Sequence, residues 1–262
     1  MLDFIRIACA VPAVKVGDVK KNVQDICSYM EQADGKNVDV LLFPELSLTG
    51  YSCGDLFFQD TLWNSVKAGL REICACSEKC PKLTAVVGLP VRLNAKLLNC
   101  AAVIRNGGIR GIVPKTYLTE SESRWFVSGD ELKETAAALD VFGIPEFGFS
   151  SLGTDLLFEI GDGAVVGVEL CEDLHAPLPP STLLALNGAN VILNLSASPE
   201  FVGKRTLRQT LARHQSSSCK CIYVSCSAGY TESTSDVVYS GHSLFAENGR
   251  ILSENTRQVE TD

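Results

Sequence analysis

No run of basic residues occurs anywhere in this chain of 262 residues. The densest positive stretch, Lys204 to Arg213, is interleaved with Thr, Leu and Gln like one face of a helix. The net charge is −8 and the isoelectric point lies near 5.0. Phosphate recognition needs clustered Lys and Arg, so neither a nucleic acid nor an anionic membrane is expected as partner. Histidine is equally scarce, with three in the whole chain. That scarcity bears on the eleven cysteines. Cys74, Cys76 and Cys80 form a CxC-x3-C run with no paired second half, and Cys219 and Cys221 lead straight into an apolar strand, so no metal site is expected. An odd cysteine count with apolar neighbours, as at Cys9, Cys100 and Cys226, argues against a disulfide framework and for a reducing, cytoplasmic location. No apolar stretch approaches the roughly 20 residues a bilayer needs. The start, Met1 to Arg6, has neither a basic n-region nor an apolar h-region, so no signal peptide is expected.

What the chain does have is core. Hydrophobic residues make up 46% and mean hydropathy is +0.14, enough for one α/β domain, read here over residues 1–252 with no internal repeat. Strand-like and helix-like runs alternate. Strands are expected at residues 5–11, 38–43, 84–89, 191–194 and 222–227, and helices at 19–34, 56–76, 181–188 and 204–217. Asp18 is placed to cap the first helix. Between these units lie three hairpins, turning at Asn106-Gly107, at Gly161-Asp162-Gly163 and at Glu247-Asn248-Gly249. Parallel βα units mixed with hairpins give mixed sheets, and few amphipathic helices cover them. The expected fold is therefore α/β, a four-layer α-β-β-α sandwich. The polar, then Gly- and Pro-rich segment 119–151 is too long for an ordinary connection and is read as a loop covering the site.

Three strand ends carry the chemistry. Residues 164–173, Ala-Val-Val-Gly-Val-Glu-Leu-Cys-Glu-Asp, form a buried strand that stops at the thiol of Cys171, flanked by carboxylates. Glu45 follows the apolar run Val40–Phe43, where α/β sheets present ligands, and apolar surroundings should raise its pKa toward that of a general base. Lys115 is the first polar residue after the strand ending Val113-Pro114. Taken singly each has an ordinary explanation: a buried thiol, a helix-capping carboxylate, a surface lysine. Together they form a chemical set, because a thiol needs a base and an ammonium can hold the oxyanion that follows attack.

In this order, Phe43-Pro-Glu-Leu46, Pro114-Lys115 and Leu170-Cys-Glu-Asp173 resemble the Glu-Lys-Cys triad of the nitrilase, or carbon–nitrogen hydrolase, superfamily. Four longer stretches narrow the resemblance: Glu45 to Phe58, Cys171 to Pro177, Asn194 to Glu200 and Ser227 to Tyr239. These are similar to the glutaminase domain of glutamine-dependent NAD+ synthetases, over essentially the whole chain. The resemblance implies glutamine hydrolysis, with ammonia passed to a synthetase domain that uses ATP and magnesium to amidate deamido-NAD+. It implies no cofactor for the glutaminase part itself, a synthetase domain on the same polypeptide, and a homo-oligomer. Residues 253–262 then read as the start of a linker to that domain, which is absent from this chain. Glu45, Lys115 and Cys171 would be catalytic, and the backbone N–H of Glu172 would join Lys115 at the oxyanion. Ser198 and Lys204 would hold the α-amino and α-carboxylate groups of glutamine. Tyr117, Glu122 and His175 complete the implied substrate-binding set. Here the segment from Lys115 to Glu122 is shorter than the family pattern, and His175 stands where an aromatic residue is expected. Two other readings remain: a stand-alone amidase acting on another small amide or nitrile, and a catalytically inactive module serving oligomerisation or docking.

Overall fold

The computed structural model describes residues 4–132, 136–139, 150–161 and 163–255. Seven strands form one sheet, in the order β1 (Ile7–Cys9), β2 (Val40–Leu42), β3 (Thr84–Leu93), β4 (Lys96–Arg105), β5 (Gly108–Pro114), β7 (Ser150–Leu152), β6 (Ala136–Leu139). Six form the other, in the order β13 (Arg250–Glu254), β12 (Leu244–Glu247), β11 (Ile222–Ser227), β10 (Val191–Ser196), β9 (Ala164–Leu170), β8 (Leu157–Ile160). Helices α1 (Val19–Gly35) and α2 (Asp60–Lys79) cover the first sheet, and α3 (Pro180–Leu186) and α4 (Lys204–Ser218) cover the second. Strand alternation assigns the layers. Val40, Leu42 and Val86 meet Val168, Leu170 and Leu193 between the sheets. Leu41, Ala85 and Val87 turn the other way, onto Ile26, Met30, Leu70 and Ile73 of the helices. Ile192 and Tyr223 pack on Leu184 and Ala212 of the opposite helical layer. This is the four-layer α-β-β-α sandwich that the sequence pattern predicts.

Local chemistry explains most boundaries. The Asp18 side chain accepts the Lys21 N–H at 3.1 Å and starts α1 where expected. Asn106 and Gly107, with φ of 46° and 75°, make the left-handed two-residue turn between β4 and β5. The same geometry recurs at Asn248 and Gly249. One strand runs longer than its sequence suggests: β3 continues through Pro90 to Leu93 and turns back at Asn94, whose φ is 54°. Pro90 is tolerated because β2 pairs only as far as Val86, which leaves this stretch of β3 an edge. The helix expected from residue 56 begins only at Asp60, after a run of 3-10 turns over Tyr51–Phe58 broken at Gly54 (φ 56°). The segment 119–151, expected to cover the site, is described at 119–132, 136–139 and 150–151. Phe126 of this segment packs on Phe57 with ring centroids 4.9 Å apart, and the Val127 N–H reaches the Leu97 carbonyl at 2.9 Å. The remainder of that loop lies outside the described residues. Among the described residues no helix is long and apolar enough to cross a membrane.

One glycine decides where the Glu45 turn can sit. A Cβ added to Gly88 of β3 would lie 2.3 Å from the Leu46 nitrogen and 2.6 Å from the Pro44 oxygen. The bare backbone lets residues 44–48 close over the strand, and the Leu48 N–H bonds the Gly88 carbonyl at 3.0 Å. Gly88→Ala is therefore expected to displace the Glu45 turn, lowering kcat about 10-fold or more and stability by about 1–3 kcal/mol. Steady-state kinetics beside a thermal melt checks this. Unchanged kcat would mean that the turn tolerates the added methyl.

Candidate active site

The site lies where β2, β5, β9, β10 and β11 end. β9, β10 and β11 run parallel, with Leu170 beside Leu195 and Ser196 beside Ser227. Each apolar strand stops at a polar residue at the same end of the sandwich. Glu45 enters on a turn in which Leu46 takes a φ of 51°. Cys171 itself has a φ of 40° and begins a 3-10 turn over Cys171–His175. A non-glycine residue held there is strained.

A buried ammonium organises two carboxylates. Lys115 Nζ donates to Glu45 Oε1 at 2.7 Å and to Glu122 Oε1 and Oε2 at 2.7 and 2.9 Å. None of the three side chains is more than 1% exposed, so this charge cluster is fully desolvated. Asn99 Nδ2 bridges the carboxylates, at 2.7 Å to Glu45 Oε1 and 3.2 Å to Glu122 Oε1. Glu122 is saturated further by the N–H and hydroxyl of Thr119. Glu45 is not: its buried Oε2 has no hydrogen-bond partner among the described residues.

This asymmetry sets the proton affinities. Burial lifts Glu45 to about 7; Lys115 opposes that, and the charge on Glu122 adds to it. Glu122 is held low because, against its burial, it has Lys115 and Thr119. Lys115 is held protonated: burial works against the charge, but Glu45, Cys171 and Glu122 outweigh it. Burial and the Glu45 charge push the Cys171 thiol to about 12, while Lys115 and a 3.3 Å hydrogen bond from the Ser196 hydroxyl pull it down. The resting site thus holds a neutral thiol, an ammonium and a carboxyl poised near neutrality.

The remaining residues expected from the sequence fall in different places. Glu122 does not face open space; its oxygens belong to Lys115 and Thr119. Tyr117 gives its N–H to Asp173 at 2.7 Å and its hydroxyl to the Leu178 carbonyl at 3.2 Å. Ser198 and His175 line a cavity of about 20 Å³ with Cys171, Asn194 and Arg208, room for about one water. His175 is held below its ordinary pKa by burial and the nearby Lys204 charge. Lys204 opens α4 with its ammonium 5.2 Å from the Phe201 ring centre. Glu172 occupies the turn next to Cys171. A larger cavity, about 680 Å³, lies at the opposite ends of the strands, lined by Asp39, Asn190 and Lys220, and touches none of this chemistry.

Sequence reasoning missed three supports. Asn99 interrupts the apolar run Leu97-Leu98-Asn99-Cys100 of β4, a visible signal. Asp173 accepts the N–H groups of Thr116 (3.1 Å), Tyr117 (2.7 Å) and Leu170 (2.9 Å). It ties the loop after Lys115 to the strand that delivers Cys171, and burial raises its pKa to about 8. Ser196 is the third.

Comparison with known proteins agrees with this picture. The carbon-nitrogen hydrolase family model matches residues 6–261. The glutamine-dependent NAD(+) synthetase of Mycobacterium tuberculosis is 37% identical over 261 residues, which cover 97% of this chain and 37% of that protein. The crystal structure of a glutamine-dependent NAD(+) synthetase from Cytophaga hutchinsonii superposes with a TM-score of 0.83 at 30% identity, covering 97% of this chain and 40% of that one. An amidase from Nesterenkonia sp. shares the fold, with a TM-score of 0.75 at 17% identity over 97% of this chain and 87% of its own. The chain spans well under half the length of the synthetases it matches. It belongs to the carbon–nitrogen hydrolase family.

Proposed function

We propose that this chain hydrolyses the side-chain amide of glutamine through a cysteine thioester, as the glutaminase part of a glutamine-dependent NAD+ synthetase. The observation that carries the reading is the split of Glu45: Oε1 is pinned by Lys115 and Asn99, and buried Oε2 is left without a partner among the described residues, in a site where the charges of Glu45 and Cys171 act on each other. An acid held that way is a general base waiting for a proton. As Sγ of Cys171 attacks the amide carbon, its proton passes to Glu45 Oε2. The carbonyl oxygen becomes an oxyanion, held by the Lys115 ammonium and the Glu172 backbone N–H. Collapse breaks the C–N bond, Glu45 returns the proton to nitrogen, and ammonia leaves behind a thioester. Water then attacks that carbonyl carbon as Glu45 takes one of its protons. The second collapse releases glutamate, and the departing Sγ recovers the proton. Ser198 and Lys204 hold the amino-acid end of glutamine, with Lys204 as a point charge for the carboxylate, while Tyr117 and His175 flank it. The hydrolysis uses protein groups throughout, and ATP and magnesium serve the synthetase reaction. That reaction takes up the ammonia on a synthetase domain of the same polypeptide, in a cytoplasmic homo-oligomer.

Ammonia release from glutamine, compared with acetamide and butyramide, tests the proposal. Turnover of glutamine alone is the expected result. Preference for the short amides would point to a stand-alone amidase. Turnover of none, with Cys171 unreactive toward iodoacetamide, would leave an inactive module.

The pKa of Glu45 fixes a pH dependence. The base must be ionised, and its ionised fraction grows as pH rises through about 7, so kcat/KM should climb along a limb centred near there. Glu122→Gln removes a negative charge that raises Glu45 and frees Lys115 to pair with it alone. The limb should then move to lower pH. A pH–rate profile of both proteins decides, and a limb unmoved by the substitution would remove Glu45 as the titrating base.

A further inference from the structure

Ser196 bonds Cys171 at the end of the neighbouring strand and Glu45 across the gap between the sheets. The β9–β10 register sets Leu195 beside Leu170, so the next residue of β10 lies beside the nucleophile position. Leu193 and Leu195 point into the core between the sheets, which turns Asn194 and Ser196 the other way. There the Ser196 hydroxyl donates to Cys171 Sγ at 3.3 Å. Its carbonyl accepts the Glu45 N–H, across the sheets, at 3.3 Å, and the Ala228 N–H at 3.0 Å. One residue thus holds the backbone of the carboxylate and the sulfur of the thiol at once.

We propose that Ser196 is a positioning residue that favours the thiolate of Cys171 and fixes its approach to Glu45. This rests on the reading of Cys171 as nucleophile. A buried serine at a strand end commonly bonds a backbone carbonyl. Here its carbonyl already accepts the Glu45 and Ala228 N–H groups, and the residue is 4% exposed, with the Cys171 sulfur as the partner of its hydroxyl. An O–H donor bonds an anion more strongly than a neutral acceptor. The bond therefore tightens when Sγ loses its proton to Glu45 Oε2, and again when Sγ leaves the thioester. Ser196 keeps its own proton throughout. This hydroxyl is a neutral donor that reaches the sulfur itself.

The test is the pH dependence of iodoacetamide alkylation at Cys171, followed by mass spectrometry of its peptide, in wild type, Ser196→Ala and Ser196→Thr. Ser196→Ala should lower the thiolate fraction and so slow alkylation about 10-fold at each pH between 7 and 9, and lower kcat roughly 10- to 100-fold, with KM nearly unchanged. Ser196→Thr keeps the hydroxyl and should keep the wild-type alkylation rate. If Ser196→Ala fails to fold, the Thr variant decides, since slowed alkylation in it overturns the proposal. An unchanged alkylation rate in a folded Ser196→Ala protein also overturns it, whether or not activity falls, because a merely structural serine would leave thiol ionisation alone. Cys171→Ala run in parallel separates the two levels. If that variant is inactive while Ser196→Ala is alkylated like wild type, only the role of Ser196 fails; if Cys171→Ala retains activity, the nucleophile reading fails with it.

Discussion

Cys171→Ala is expected to abolish ammonia release from glutamine while leaving the fold intact. The thioester route has no substitute for the sulfur, and loss of a covalent nucleophile typically removes at least about 10⁴-fold in kcat. Other cysteines cannot step in. Cys9 and Cys226 point to backbone carbonyls across the inter-sheet core, and Cys74, Cys76 and Cys80 sit under the helices that cover the first sheet. Structurally the change is mild. Alanine inherits the same φ of 40° that cysteine already tolerates, so no new backbone strain arises. The lost contacts are one sulfur and one weak hydrogen bond, about 1 kcal/mol. Circular dichroism and a thermal melt should match wild type within a few degrees. Glutaminase activity persisting in such a folded variant would remove Cys171 as nucleophile.

Much of the framework was legible because short-range chemistry fixed it. Asn-Gly turns at 106–107 and 248–249 need left-handed backbone that those two residues supply, so their hairpins could be read directly. The all-apolar runs at residues 40–43 and 166–168 mark strands buried on both faces, and they lie in the inter-sheet core or against the helices. Where tertiary context overrode a local rule, the reading stopped short. Proline normally ends a strand, yet β3 passes through Pro90 because its neighbour β2 is too short to need that N–H. The late start of α2 has a similar origin. Glu232 accepts the Tyr51 N–H at its carboxylate and the Ser52 hydroxyl at its carbonyl, which pins the segment ahead of the helix from the other sheet.

The site divides along the same line. Glu45, Lys115 and Cys171 each follow an apolar strand, so a one-dimensional pattern exposes them. Their supports do not announce themselves in that way. Asn99, Asp173 and Ser196 act only because distant strands bring them within 3.5 Å of a charge, an N–H or a thiol. Glu122 shows how role depends on placement. As a sequence feature it belongs to a segment associated with substrate, whereas in three dimensions both its oxygens are spent on Lys115 and Thr119.

Lys115→Met is expected to fail on both counts, chemistry and stability, and the two can be separated. The ammonium is proposed to hold the oxyanion, which exists only after attack, so its removal should lower kcat by about 10²-fold or more with little change in KM. Methionine fills similar volume but leaves Glu45 and Glu122 facing each other, buried and without a counter-charge. Breaking a buried pair from one side typically costs about 3–5 kcal/mol. The pH dependence of that loss identifies its cause. Without Lys115 both carboxyls should bind protons more tightly when folded than when unfolded, since burial and mutual repulsion act unopposed. The folded variant then carries protons that the unfolded chain releases, so its stability should rise as pH falls toward the ordinary carboxylate range. Denaturant melts at pH 5 and pH 8 test this: the deficit against wild type should shrink at the lower pH. Adding Glu122→Gln to the variant removes one of the stranded charges and should recover part of the stability without recovering kcat. A deficit that is constant with pH would mean the loss comes from packing and not from stranded charge. If KM alone rises while kcat holds, Lys115 binds substrate and the Glu-Lys-Cys reading of the site fails.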